Sequence, residues 1–344
     1  MRIGLLVLGL LCLSAISADD AKPLPNGERP IIVRVLVLNF DPRMPQEGNK
    51  RLHEVGKWND PRWLAQQYAE EVRKASGDLV RYQIVEWRDL DEFPVKVDGF
   101  VYTKEQYLQC LRDGKGWHEP DGADYEKVLQ KHGVDKLIDA GAIDEVWLFG
   151  APYMGFWESA MAGPGAFYIN GGVYDKFPTK RPFAIMGFNY ERGVAEMLHN
   201  LCHRTEATMT RIYGGWQADK LEHNWARFAA NAHQSHGVAA VGSCHYPPNG
   251  EKDYDYANPR TVISSAPDWL NYPNFTGKTM QVNCETWGGP DYHLNYMRWW
   301  FRHLPRNPGV NPEDGRLNNW WRYVFEFTQY DERGKPIKAN PKAN

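Results

Sequence analysis

The run "PIIVRVLVLNFDP", residues 30 to 42, is dense in β-branched side chains and closed by Asp-Pro, the pattern of a buried strand. It is followed by "DPRWLAQQYAEEVRKASGD", whose apolar residues recur at helical spacing between an Asp-Pro start at 60 and a stop at Gly77. "LVRYQIVEW" (79 to 87) returns to strand. A strand, helix, strand order of this kind predicts an α/β fold, a mostly parallel sheet with flanking helices. The same alternation continues through helical "DYEKVLQKHGVDKLIDAG" into the core strand "DEVWLFG" (144 to 150), and "FAIMGF" (183 to 188) reads as one more strand.

Loops after the last two strands carry the chemistry. In open α/β sheets ligands gather beyond the carboxyl ends of the strands. "APYMGFWESAMAGPGAFYINGG" follows residue 150 and presents Glu158; "NYERG" follows residue 188 and opens a long helix. If the two strands are parallel neighbours, Glu158 and the start of that helix share one rim.

With Asn189 as N-cap and Gly214-Gly215 as stop, capping rules predict a helix over about 190–213. At 100° per residue, Arg192, Glu196, His199, His203, Glu206 and Thr210 fall in one sector about 80° wide. Val194, Leu198, Leu201, Cys202 and Met209 make the opposite, apolar face. One reading is an amphipathic helix showing water its polar side. Solvated faces usually carry lysine, however, and this stripe alternates carboxylates with imidazoles, which are metal ligands and proton carriers. Histidines at i and i+4 reach a common ion. Glu206 is the third candidate ligand, although His199 to Glu206 spans about 10.5 Å of helix axis, so a ligand from another segment is favoured. His223, His233, His236, His245, His293 and His303 are the outsiders; His245 is preferred because a neighbouring cysteine and prolines hold it rigidly.

The segment His199-Asn200-Leu201-Cys202-His203 resembles the helix of zincin metallopeptidases, which carries His-Glu-x-x-His. The resemblance covers about five residues. Both ligand positions match; the general-base position holds Asn200, and the positions where the metzincin branch has glycine and a third histidine hold Glu206 and Met209. It implies zinc and peptide hydrolysis, with Glu196, Glu206 or Glu158 standing in for the missing base. A zinc-bound water would lose its proton to that carboxylate and attack a carbonyl, and Arg192 would steady the oxyanion. Glu196-x-x-His199 is also half of a di-iron carboxylate motif, but no second copy exists.

Composition narrows the remaining classes. Forty basic and forty-three acidic side chains leave a net charge of −3 and no basic stripe, so nucleic acid is excluded as a partner. "MRIGLLVLGLLCLSAISADD" is built as an export signal, residues 1–18, cleaved after Ser17 or Ala18. Its apolar run of about fourteen residues is short of the roughly 20 that span a bilayer, so no membrane association is expected after its removal. Residues 19–243 are expected to form the α/β catalytic-type domain, 244–330 an aromatic- and loop-rich region packed on it, and 331–344 a flexible tail. "NNWWRYVFEF" near the end reads as a strand.

Four cysteines remain after the signal: Cys244 with Cys284 is the expected disulfide, with Cys202 a small buried thiol. Asp253 and Asp255 in "NGEKDYDYAN" offer oxygen ligands that would suit calcium. No G-x-S-x-G elbow, Walker loop, G-x-G-x-x-G or C-x-x-C is present.

Three functions fit this pattern. The first is an exported metal-dependent hydrolase, with zinc as the metal and a peptide or a carbohydrate as substrate. The second is a metal-free carbohydrate-active enzyme using paired glutamates among Glu158, Glu196 and Glu206, with some of the fourteen tryptophans as sugar platforms. The third is a secreted binding protein whose histidine stripe is merely solvated.

Overall fold

A computed structural model describes residues 22–25 and 27–337. The export signal expected over 1–18 and the last part of the expected tail, 338–344, lie outside the described residues. The elements that position the site are β1 (Ile31–Phe40), α1 (Pro61–Ala75), β2 (Val80–Leu90), α2 (Tyr125–Lys131), α3 (Val134–Asp139), β3 (Glu145–Gly150), β4 (Ser159–Ala162), β5 (Val173–Tyr174), β6 (Phe183–Asn189), α4 (Val194–Tyr213), α5 (Tyr292–His303) and α6 (Trp320–Phe325).

Six strands form one sheet in the order β2-β1-β3-β6-β4-β5. Its centre is parallel, as the alternation of strand and helix predicts; β4 pairs antiparallel with β6, and β5, parallel to β4, runs the same way as β4. Residues 35 to 40 of β1 and all of β3 are buried, which explains their unbroken apolar runs. Asp60 caps α1 by accepting from the Trp63 N–H, with Pro61 in the first turn. The helix expected over 124 to 141 is two, α2 and α3, because Gly133 between them adopts φ +63°.

The register places the site. β3 and β6 are parallel neighbours, with Gly150 paired to Asn189 at their carboxyl ends. The two loops singled out above therefore leave the sheet side by side. Gly187 lets them approach, since a Cβ there would collide with the main-chain carbonyl of Trp157.

Beyond residue 243 regular structure is sparse, and the chain is held by buried rings. Phe228 has the rings of Trp269, Trp300 and Trp320 edge-on at 5.3 to 5.4 Å. The main apolar core runs from β1 through Trp147 and Leu201 to Trp300 and Trp321. One expectation is corrected here. Residues 320 to 325 are helical, with Trp320, Trp321 and Val324 buried at i, i+1, i+4 and Arg322 paired to Glu326 one turn on. Residues 331 to 337 turn back through Asp331, which accepts from the Lys335 and Arg333 N–H groups. No helix among the described residues is long and apolar enough to cross a membrane.

Candidate metal centre

α4 begins four residues later than its caps suggest. The Asn189 side chain accepts from the Glu191 N–H at 2.9 Å, closing a turn before the helix, and Gly193 is the N-cap, its N–H donating to Glu196 Oε2 at 3.0 Å. The apolar face meets the core as expected. The middle of the polar stripe is also covered, His199 being only 3% exposed and Glu206 8%, while Arg192 at its start stays exposed. The solvated-face reading fails on that burial.

What covers the stripe is the segment from Cys244 to Tyr256 and the first turn of α5. A disulfide joins Cys202 of α4 to Cys244, with Cα atoms 5.8 Å apart. This replaces the expected Cys244–Cys284 pair; Cys110 and Cys284 are buried thiols. Each bridged cysteine immediately precedes a histidine, so the bridge delivers His245 to His203. Their Nε2 atoms are 3.0 Å apart, His199 Nε2 is 2.9 Å from His203 Nε2, and His245 Nε2 is 3.1 Å from His199 Nε2. Three imidazole nitrogens thus form a nearly equilateral triangle.

The opposite ring nitrogens fix the protonation. His203 Nδ1 lies 3.1 Å from Glu206 Oε2 and His245 Nδ1 lies 2.8 Å from Asp253 Oδ1. Carboxylates only accept, so both rings carry a proton on Nδ1, and in the neutral form each turns a bare Nε2 inward. His199 Nδ1 faces His293 Nε2 at 3.2 Å and the Tyr256 hydroxyl oxygen at 3.5 Å. That hydroxyl donates to the Cys244 carbonyl at 2.7 Å, leaving its lone pairs for His199. With all three rings in that neutral form, three lone pairs converge at about 3 Å, an arrangement that a cation among them would relieve. The three residues have the spacing of a metal-ligand set, and three neutral imidazole nitrogens are donors that would suit a zinc-type ion.

Protonation follows the same environment. Burial, and the like charges that His203, His293 and His245 would present, hold His199 down to about 2, neutral as a ligand must be. Burial also pulls His203 down, but the Glu206 hydrogen bond and charge, with Glu158 and Asp253 beyond, leave it raised. Burial lowers His293.

The other expected residues divide. Glu158 stands at the rim, Oε2 3.9 Å from His203 Nε2 and 2.5 Å from the Asn170 amide that donates to it. Glu206 is behind His203, not beside His199; its second oxygen accepts from the Cys244 N–H at 2.8 Å. The group of ligand spacing that includes His199 and His203 has His245 as its third member. Glu196 caps its own helix and lies 3.9 Å from His293 Nδ1. Arg192 is exposed at the cleft and pairs loosely with Glu191 at 3.9 Å. Asn200, at the zincin base position, donates to the Gly187 carbonyl at 2.8 Å and ties α4 to β6. Asp253 and Asp255 do not converge on a calcium site: Asp253 orients His245, and Asp255 accepts from the Glu251 N–H and the Asn258 amide.

A cleft of about 460 Å³ opens beside the triangle, lined among others by Glu158, Arg192, Glu196, His199, Tyr254 and His293. Among the described residues one further group has ligand spacing, Cys202, Glu206 and Cys244, but its two sulfurs are bonded to each other. Most tryptophans serve the core, Trp147, Trp225, Trp300, Trp320 and Trp321 being fully buried; Trp157, next to Glu158, is half exposed. No protein-family model, curated protein or solved structure matches the chain.

Proposed function

We propose that this is an exported metal-dependent hydrolase, with zinc held by His199, His203 and His245 and Glu158 as general base. The observation that carries the reading is the triangle of Nε2 atoms at 2.9 to 3.1 Å, each ring backed on its other nitrogen. Three protein ligands and one open position are the arrangement of catalytic zinc, and neutral nitrogen donors favour zinc over calcium. When bound, the ion supplies a water acidified towards neutrality and a Lewis acid for a carbonyl.

The chain's own residues do the rest. Glu158, held by Asn170 and within 3.9 Å of His203 Nε2, takes the water's proton. Arg192, on the cleft wall, is placed to meet negative charge on the substrate oxygen. A metal-free glycosidase is less well supported, because Glu196 and Glu206 are both engaged by main-chain N–H groups and histidines. The deciding experiment is metal analysis of the purified protein before and after chelation. One zinc per chain, lost in His245→Ala but kept in Glu158→Gln, is the expected result. A protein that takes up no divalent ion at micromolar concentration overturns the reading.

A further inference from the structure

Seven non-glycine residues among those described adopt positive φ; two of them, Tyr153 (φ +60°) and Tyr254 (φ +57°), line this cleft, and a third, Asn170 (φ +97°), bonds to Glu158 on its wall. A left-handed backbone is unfavourable for a bulky side chain and persists where surrounding structure enforces it, commonly at ligand clamps. Asn170 holds Glu158. The two tyrosines hold nothing chemical; they present rings. Tyr153 is stacked on Trp117 at 4.0 Å and 8°, and its carbonyl accepts from buried Lys96 at 2.7 Å. Tyr254 lies against His245 at 4.4 Å and against His199 at 5.5 Å and 17°, with its N–H donating to the His245 carbonyl. Both line the cleft, and 43% of Tyr153 and 52% of Tyr254 remain exposed.

Resting on the hydrolase reading above, we infer that the substrate is a neutral saccharide bearing an acyl group, its sugar rings stacked on Tyr153 and Tyr254. Rigid aromatic faces backed by protein suit the apolar face of a pyranose, and Glu158 and Glu196 on the walls accept from hydroxyls. A polyanionic glycan is disfavoured by those carboxylates. An extended peptide would need a strand edge to pair with. The strands that line the cleft, β3 and β6, each have a neighbour on both sides, and the sheet's edges, β2 and β5, contribute no lining residue. A glycosidic bond has no carbonyl for a metal-bound water to attack, whereas an ester or amide on the sugar has one. In the step, the water oxygen bonds to the acyl carbon and the bond from that carbon to the sugar's oxygen or nitrogen breaks. The leaving atom takes the proton that Glu158 removed, giving a carboxylic acid and the unsubstituted sugar.

The test is calorimetric titration of the full chain, with and without chelator, using N-acetylchitohexaose, acetylated xylohexaose and an N-acetylated hexapeptide as probes. One of the two saccharides is expected to bind in both conditions, the amide and ester arms telling which acyl link is preferred, and acetate release is expected only without chelator. Tyr153→Gly and Tyr254→Gly should each weaken binding roughly tenfold, the equivalent of one stacking contact, without lowering the melting temperature. Tyr153→Phe and Tyr254→Phe, which keep the ring, should bind within about threefold of the parent. If a glycine variant does not fold, Asn at the same position tolerates the backbone and replaces it. Saccharide binding without zinc or acetate release would sink the hydrolase reading and leave the platforms standing. Binding of the peptide in place of both saccharides, absence of saccharide binding at millimolar concentration, or equal binding by the glycine variants overturns the inference.

Discussion

An imidazole ligates through Nε2 as firmly as its Nδ1 is held, so the carboxylate behind His245 matters almost as much as the ring. Asp253→Asn keeps the shape and removes the charge that fixes the tautomer; zinc affinity, measured by competition with a chromogenic chelator, is expected to fall about 10–100-fold with stoichiometry retained. A second pair, away from the triangle, sets a pH dependence. His53 Nδ1 lies 2.6 Å from the buried carboxylate of Asp41. Burial opposes the charge, but the Asp41 hydrogen bond and charge outweigh it and raise the His53 pKa above 6.5. A raised histidine stabilises the fold fully below its unfolded pKa, about 6.5, and that contribution disappears as pH climbs through the folded value. Melting temperature should therefore fall as pH rises from 6.5 through the raised folded value, and His53→Gln should flatten that part of the profile. At this scale the sequence revealed the two helix histidines and the rigid outsider His245. It did not reveal the partners of their outer nitrogens, because a loop aspartate such as Asp253 reads the same whether it faces calcium, water or an imidazole.

α4 is buried on both sides, and its underside is pinned by an ion pair. Arg204 Nη1 and Glu145 Oε2 are 2.7 Å apart, with side chains 1% and 2% exposed, and Arg204 Nη2 donates to the Val324 carbonyl. Removing one partner strands a buried charge, so Arg204→Met should cost about 3–5 kcal/mol in urea unfolding, and adding Glu145→Gln should recover part of that loss. A double variant no more stable than the single one would show that the pair is not coupled. Helical spacing made α4 legible from residues 194 to 213, but its start was misplaced because Asn189 spends its side chain on a turn instead of a cap. Adjacent tryptophans fit either period, so local sequence reads residues 320 to 325 as a strand, and the cross-chain ion pair of Arg322 with Glu28 is invisible in it.

At the scale of the whole molecule, the parallel sheet follows from local periodicity, while the region after Cys244 follows from contacts that have none, such as the Trp300 indole donating to the Gly242 carbonyl and Tyr296 to that of Ser243. The Cys202–Cys244 bridge couples the two regions across 42 residues. Closing a loop of that length is worth about 4 kcal/mol through the unfolded chain, so Cys202→Ala/Cys244→Ala should lose up to that much stability. A purely structural bridge would do no more. Because each cysteine precedes a triangle histidine, its removal should also weaken zinc binding at temperatures where the variant is still folded. Zinc at about 100 times its dissociation constant should stabilise the bridged protein by about 2.7 kcal/mol, and at the same concentration the variant by measurably less. Equal zinc-induced shifts in the two proteins would mean that the loop places His245 unaided, through Glu206 on the Cys244 N–H and Tyr256 on the Cys244 carbonyl.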